Sequence, residues 1–343
     1  MIRVGLVGCG RMGEVHLRLL SELEGVQIVG VADTDRDRAN ALAAGGRSGL
    51  VAGSLESLLE LARPDAVHIL SPPATHASLA CTALQAGCHV FVEKPMALTA
   101  EEARLVIVAA ENGKILTVGH NHLFNPVIRT AQAYVAEDRL GQLLGLDAFH
   151  GALPGGPVWL FELPSGPWME DVPHLLYLSM HFMGDIQVLQ AIGHPPAKQS
   201  KVTELRVVAQ HVGGVSSLMY SANTAPFRIR LTLFGTKRTL EIDLKAGTLV
   251  EHRAFKGHRW LTKGVAALDV TSQLLLGTGR NAVRVLLGRE RGWPGLRALL
   301  EAFYAAIRDG GPSPAPAIQG LRVAELSEEI ARLLKHPPSA LVC

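Results

Sequence analysis

Residues 1–13 read MIRVGLVGCGRMG, and the 20 that follow run through a leucine-rich helical pattern into VQIVGVAD, ending at Asp33. The apolar run IRVGLV enters G-x-G-x-x-G at Gly8, Gly10 and Gly13, and the last glycine opens the pattern MGEVHLRLLSEL. Among 35 glycines the spacing alone is easily met by chance, but strand, loop, helix, second strand and an acid 20 residues after Gly13 form a specific whole. Gly8 permits the tight turn, Gly10 lets a pyrophosphate approach the backbone, and Gly13 lets helix and strand pack closely. The helix start, from Arg11 and Met12 onward, offers amide donors and a positive dipole end to phosphate. Asp33 would accept from the adenosine ribose hydroxyls and repel a 2′-phosphate, which favours NAD. Arg36 and Arg38 stand close enough to receive that phosphate, so NADP stays possible. Cys9 serves as a small packing side chain.

Outward from this loop, apolar runs recur at DAVHIL, CHVFVE and ILTVG, separated by helical patterns. That alternation predicts a doubly wound parallel sheet covered by helices on both faces. Ser54 before LESLLELA and Thr99 with Glu102 mark helix starts, and Asn125-Pro126 marks another. Beyond it the texture changes. TLEIDL alternates Leu240, Ile242 and Leu244 with Glu241, Asp243 and Lys245, a strand with one wet face. TELRVVAQH, SSLMYSAN and RIRLTLFG are also strand-like, and Gly213-Gly214 falls where a hairpin turns. The fold class is α/β: an N-terminal Rossmann domain over residues 1–122 and a C-terminal α+β domain over 123–343. The second has a large, mostly antiparallel, open-faced sheet and closing helices at about 294–335.

Composition narrows the partners. With 33 Lys+Arg against 31 Asp+Glu in 343 residues, a formal charge of +2 gives no field for nucleic acid or anionic lipid. A small neutral or modestly charged ligand is expected. The cysteines at 9, 81, 88 and 343 form no C-x-x-C pair and no disulfide framework, which fits a reducing cytoplasm. The N-terminus lacks the pattern of a secretory signal, and no run approaches the roughly 18 apolar residues of a membrane span.

The segments GLVGCGRMG (5–13), SPPATH (71–76), AGCHVFVEKP (86–95), VGHNHLFNP (118–126) and FGTKRTLEIDL (234–244) together resemble the Gfo/Idh/MocA family of sugar and polyol dehydrogenases. The resemblance implies a nicotinamide-dependent oxidoreductase with its substrate between the nicotinamide and a helix of the sheet domain. It also implies assembly through that sheet, as a homodimer or homotetramer. Cofactor contacts carry over to Ser71, Pro72, His76, Glu93, Lys94 and Pro95. The residues support this independently at Lys94, because the carboxyl end of a buried parallel strand is the edge where such sheets bind ligands. Partly desolvated there, its ammonium would polarise a reacting oxygen or relay its proton.

A second segment, GPWMEDVPHLLYLSMHFMG (166–184), places His174, Tyr177 and His181 at i, i+3 and i+7 on one helical stripe, with Leu175, Leu176, Met180 and Met183 on the far side. The family pattern has an aspartate four residues before a histidine, and here Glu170 and His174 fill those places. His174 is thus the expected general base and Glu170 its acidic companion, with Asp171 as a rival. The family's common acid three residues after the histidine is Tyr177 here, so the hydroxyl pattern recognised differs from that of the best-known inositol dehydrogenases. His120, Asn121 and His122 occupy a segment that often supplies an arginine, which argues against a carboxylated or phosphorylated substrate. Trp168 is the one tryptophan placed to stack on a sugar. The 14 histidines match no zinc spacing, and no catalytic metal is expected. The leading reading is hydride transfer between NAD(P) and a hydroxyl or keto carbon of a sugar, cyclitol or sugar derivative. A redox-assisted glycosidase and a non-catalytic dinucleotide sensor are the alternatives on the same scaffold.

Overall fold

The structure is a computed structural model that describes residues 1–46, 49–194, 201–287 and 292–335. Contacts divide the chain into two units, Met1–His120 with Leu296–Glu325, and Asn121–Gly295 with Leu326–Cys343. The sequence reading assigned all of 294–335 to the second domain. The segment Leu296–Glu325 belongs instead with the first, because its apolar residues, among them Leu296, Leu299, Leu300 and Phe303, are fully buried there.

In the first unit the strands are β1 (Ile2–Val7), β2 (Val26–Ala32), β3 (Val51–Ala52), β4 (Ala66–Ile69), β5 (His89–Val92) and β6 (Leu116–Val118). They pair in parallel in the order β3-β2-β1-β4-β5-β6. The strand order reverses between β1 and β4, the point where open α/β sheets bind ligands. Helices α1 (Arg11–Ser21), α2 (Arg36–Gly46), α3 (Leu55–Ala62), α4 (His76–Gln85) and α5 (Ala100–Ala109) connect them. The expected caps are formed: Ser54 Oγ accepts from the Ser57 amide, and Thr99 and Glu102 close a reciprocal capping box. Such caps are worth about 1 kcal/mol each. The two-residue β3 escaped the sequence reading, being too short to show a period.

The second unit starts at α6 (Pro126–Ala136), capped by Asn125 as expected, and continues through β7 (Leu143–Gly151), α7 (Val158–Glu162) and α8 (Trp168–Met183). Then follow β8 (Gln187–His194), β9 (Glu204–His211), β10 (Gly214–Ser221), β11 (Arg228–Gly235), β12 (Thr239–Asp243), β13 (Thr248–His252) and the long α9 (Arg259–Leu286). The sheet order is β13-β12-β11-β7-β10-β9-β8, and every pairing is antiparallel except β7 with β10. The β9–β10 hairpin turns on Val212-Gly213, one residue before the expected pair, since Gly214 already opposes His211 in the ladder. One sheet face buries Leu146, Ala148, Leu205, Val207, Leu218, Leu231 and Leu233. The other leaves Ile192, Val208, Val215 and Phe234 exposed, the open face expected from the sequence.

The closing helices are α10 (Pro294–Asp309) and α11 (Ala317–Lys335). No helix among the described residues is long and apolar enough to cross a membrane. Cys9, Cys81 and Cys88 are free thiols, and Cys343 lies outside the described residues.

Candidate active site

The glycine loop behaves as its residue types require. Gly8 adopts a φ of +98°, and a Cβ there would sit 2.5 Å from the Ser71 amide nitrogen. A Cβ on Gly13 would meet the Gly8 carbonyl oxygen at 2.5 Å, so this glycine is needed for the loop to close on itself. Gly10 differs: a Cβ there meets nothing within 4 Å, and as N-cap of α1 it offers no capping side chain. A loop that is crowded at both ends and open in the middle, above a helix start without a side-chain cap, fits a diphosphate. Asp33 Oδ2 accepts from the Cys9 amide at 2.7 Å and Oδ1 from the Asp35 amide at 2.9 Å. The carboxylate is therefore fixed beside the loop with lone pairs left for ribose hydroxyls. Burial and then the Asp33 charge push the Cys9 thiol up to about 12, which keeps it an inert packing group. Arg38 is held by Asp35 at 3.0 Å, and Arg36 is exposed.

At the end of β5, Lys94 is 9% exposed. Its amide donates to Glu93 Oε2 at 3.2 Å, while Glu93 Oε1 lies 3.2 Å from His16 Nε2. Burial pushes the Glu93 carboxyl up, but the hydrogen bond from His16, with the Lys94 ammonium and amide, outweighs it and holds the group below its ordinary range. His76 is buried, with Nδ1 2.7 Å from the Pro95 carbonyl and Nε2 2.7 Å from that of Ser71. The sequence reading gave His76 to the cofactor. Both of its ring nitrogens are spent on backbone, so it clips the 71–76 and 94–95 segments together. His120 is also buried, and burial pushes it down to about 4 against smaller opposing pulls from Gln319 and Glu93. It is a neutral neighbour of the Glu93 and Lys94 charges.

In the second unit α8 packs the segment that holds His174 and Tyr177 against β7. His174 Nδ1 is 2.7 Å from Tyr177 Oη, which also accepts from the His122 amide at 3.3 Å. The His122 and His174 rings lie 4.3 Å apart, and the His150 ring stacks parallel to His174 at 6.0 Å. His150 Nε2 in turn faces Asp171 Oδ1 at 3.6 Å. Burial, followed by the Asp171 charge and hydrogen bond, pushes the Tyr220 hydroxyl up and keeps it a proton donor. Asn121 is buried, and its Oδ1 has no hydrogen-bond partner among the described residues, leaving an acceptor for an incoming hydroxyl.

Two expectations for α8 are corrected. His181 does not join the stripe: it is exposed and meets Phe182 edge-on, while the interior takes residues from all around the helix between Val172 and Ser179. Trp168 is fully buried and its indole N–H donates to the Ser165 carbonyl at 2.9 Å, so it is a core residue with no face for a sugar. His150 was missed. Its signal was the alternation Leu146, Ala148, His150 along β7, which points an imidazole inward with two core residues. Among the described residues no three His, Cys, Asp or Glu side chains converge as a metal site.

The first unit is thus a dinucleotide-binding domain with a buried lysine at its ligand edge, and the second carries a histidine–tyrosine pair at a helix–sheet junction. Residues 2–120 match the sequence model of the Gfo/Idh/MocA oxidoreductase family, described as an NAD-binding Rossmann fold. It is 36% identical over 143 residues to 1-carboxy-3-chloro-3,4-dihydroxycyclo hexa-1,5-diene dehydrogenase of Comamonas testosteroni, covering 41% of this chain and 36% of that one. It is 30% identical over 190 residues to D-glucoside 3-dehydrogenase of Escherichia coli, covering 53% and 54%. The aligned stretches thus span about half or less of those relatives' lengths. Among solved structures, a Bordetella pertussis dehydrogenase in complex with NADH and UDP-GlcNAcA shares the fold, with a TM-score of 0.79, 19% identity and coverage of 96% and 95%.

Proposed function

We propose that the chain is an NAD(H)-dependent dehydrogenase acting on a CH–OH carbon of a sugar, cyclitol or sugar derivative. The observation that carries this reading is Lys94, a lysine nine-tenths buried just past the carboxyl end of the parallel strand β5, on the ligand edge of a dinucleotide-binding sheet. The anchored Asp33 and the engagement of Arg38 by Asp35 support NAD over NADP. The dehydrogenases that the chain is similar to act on a glucoside and on a dihydroxylated ring, by their names.

Bound NAD supplies the redox step, exchanging a hydride with the carbon that bears the reacting oxygen. Lys94 holds that oxygen and stabilises negative charge developing on it. His174 takes the proton through Nε2, with its Nδ1 2.7 Å from the Tyr177 hydroxyl oxygen, which also accepts from the His122 amide. Tyr177 thus replaces a carboxylate in setting the tautomer, without adding a charge. Glu170, one turn before His174, and Asp171, beside His150, supply acidic companions. Around His174 stand two imidazoles, a phenol and the Asp171 carboxylate beside His150, acceptors and donors that suit a substrate of neutral hydroxyls. The free thiols Cys9, Cys81 and Cys88 support a reducing compartment such as the cytoplasm. The open sheet face supports self-association as a dimer or tetramer.

The test is spectroscopic. A panel of sugars, cyclitols and glycosides is added to the NAD-loaded chain and absorbance followed at the reduced-nicotinamide band. Turnover with one panel member is expected, with Lys94→Ala and His174→Ala each lowering kcat about 100-fold or more. Undiminished turnover in either variant removes that residue's role, and cleavage of a glycoside without net NADH moves the reaction class to elimination.

A further inference from the structure

Behind Lys94, and unused by the reaction, lie three buried groups from distant parts of the first unit. His16 on α1 and His68 on β4 are both fully buried, and Tyr304 on α10 is 1% exposed. Together with Glu93 they form an unbroken series. Glu93 Oε1 is 3.2 Å from His16 Nε2, His16 Nδ1 is 2.9 Å from His68 Nδ1, and His68 Nε2 is 2.7 Å from Tyr304 Oη. Ring packing restrains His68: Phe91 stacks parallel to it at 5.0 Å, Tyr304 lies nearly parallel at 5.9 Å, and Phe303 meets it edge-on.

Proton counting gives the series one direction. Glu93 as a carboxylate only accepts, so His16 Nε2 carries a proton. With one proton per ring, His16 Nδ1 is an acceptor, His68 Nδ1 must donate to it, and His68 Nε2 accepts the Tyr304 hydroxyl. The opposite direction would turn the Tyr304 proton away from His68. Among the described residues Tyr304 Oη has no other hydrogen-bond partner, and a buried donor without an acceptor costs on the order of 1–3 kcal/mol. Burial also pushes His68 well below its ordinary range, consistent with a neutral ring.

We infer that His16, His68 and Tyr304 are positioning residues for Lys94: a hydrogen-bond chain of single polarity that starts at Tyr304 and ends by fixing Glu93 as an anion on the Lys94 amide. The groups facing that anion are His16, the Lys94 backbone and ammonium, and the neutral His120. The C-terminal segment therefore reaches Lys94 through three side chains. This rests on the reading of Lys94 as the catalytic lysine, but its test does not depend on turnover.

The full chain is labelled with nitrogen-15 at histidine and carbon-13 at glutamate, and imidazole tautomers are read by long-range proton–nitrogen correlation. His16 is expected protonated at Nε2 and His68 at Nδ1. Tyr304→Phe keeps the ring and removes only the terminal donor. It should mix the His68 tautomers, raise the Glu93 titration midpoint by about one pH unit, and speed exchange of the Lys94 amide about tenfold, leaving the β5 amides protected. His16→Gln, whose amide can both donate to Glu93 and accept from His68, should keep the Glu93 midpoint, whereas His16→Leu should raise it. A His68 protonated at Nε2 in the unaltered chain, or a Tyr304→Phe chain with unchanged Glu93 titration and Lys94 exchange, overturns the inference. Full turnover of Lys94→Ala would instead remove the catalytic reading and leave these spectra as assigned.

Discussion

His120 shows how the environment of one side chain sets a property of the whole fold. The folded chain holds it neutral down to about 4, whereas an unfolded histidine takes up its proton near the ordinary value of 6.5. Between those values the unfolded state binds more protons, so stability is complete above about 6.5 and drains away as pH falls toward 4. The loss from this residue alone amounts to roughly 3 kcal/mol, at about 1.4 kcal/mol per pH unit. His68 acts in the same direction. Thermal unfolding followed from pH 7 to 4 should show a falling midpoint, and His120→Asn should flatten that fall. An equally steep decline in the variant would place the acid sensitivity elsewhere.

Among the elements, the loop between β1 and α1 separates folding from binding. Gly13 has the Gly8 carbonyl where a Cβ would go, so Gly13→Ala should lower the melting temperature and abolish NAD binding together. Gly10 has open space there, so Gly10→Ala should melt within a degree or two of the parent yet bind NAD at least about tenfold more weakly in calorimetry. Equal NAD affinity in Gly10→Ala would show that the diphosphate does not use the open part of the loop. This loop was legible because each residue there answers to a local rule of turn, cap or strand period. The helix starts at Ser54, Thr99 and Asn125 were legible for the same reason. What the sequence hid depends on tertiary context. β7 carries Gly145 and Gly151 and a polar residue, His150, at an inward position, so its alternation does not read as apolar, and it becomes a central strand only because β10 and β11 pair on either side. α9 was hidden because its apolar face is turned outward: Leu261, Leu268, Leu275 and Leu286 are exposed, and Gln273 and Asn281 bond to the β13 side. Trp168 and His181 were misplaced because α8 is buried around most of its circumference, so no polar stripe distinguishes a cleft-facing side.

At the scale of the molecule, the outer face of the seven-stranded sheet bears on assembly. Ladder register aligns Ile192, Arg206, Met219, Phe149 and Arg230 across five strands, and Val208 with Ser217 and Asp147 in the next row. An apolar row interrupted by arginines resembles a protein interface more than a solvated surface, which needs about 800 Å² per partner to hold a stable dimer. Exposures of 57% for Ile192, 55% for Val215 and 41% for Val208 leave apolar side chains on that face open to a partner. Light scattering at micromolar concentration should therefore give a mass of two or four chains. The pair Val208→Asp and Val215→Asp should reduce it to one, with little change in melting temperature of the single chain, because neither side chain belongs to the core. The outward leucines of α9 provide the control. If Leu268→Asp with Leu275→Asp dissociates the assembly and the sheet pair does not, the helix is the contact and the open sheet face has another use.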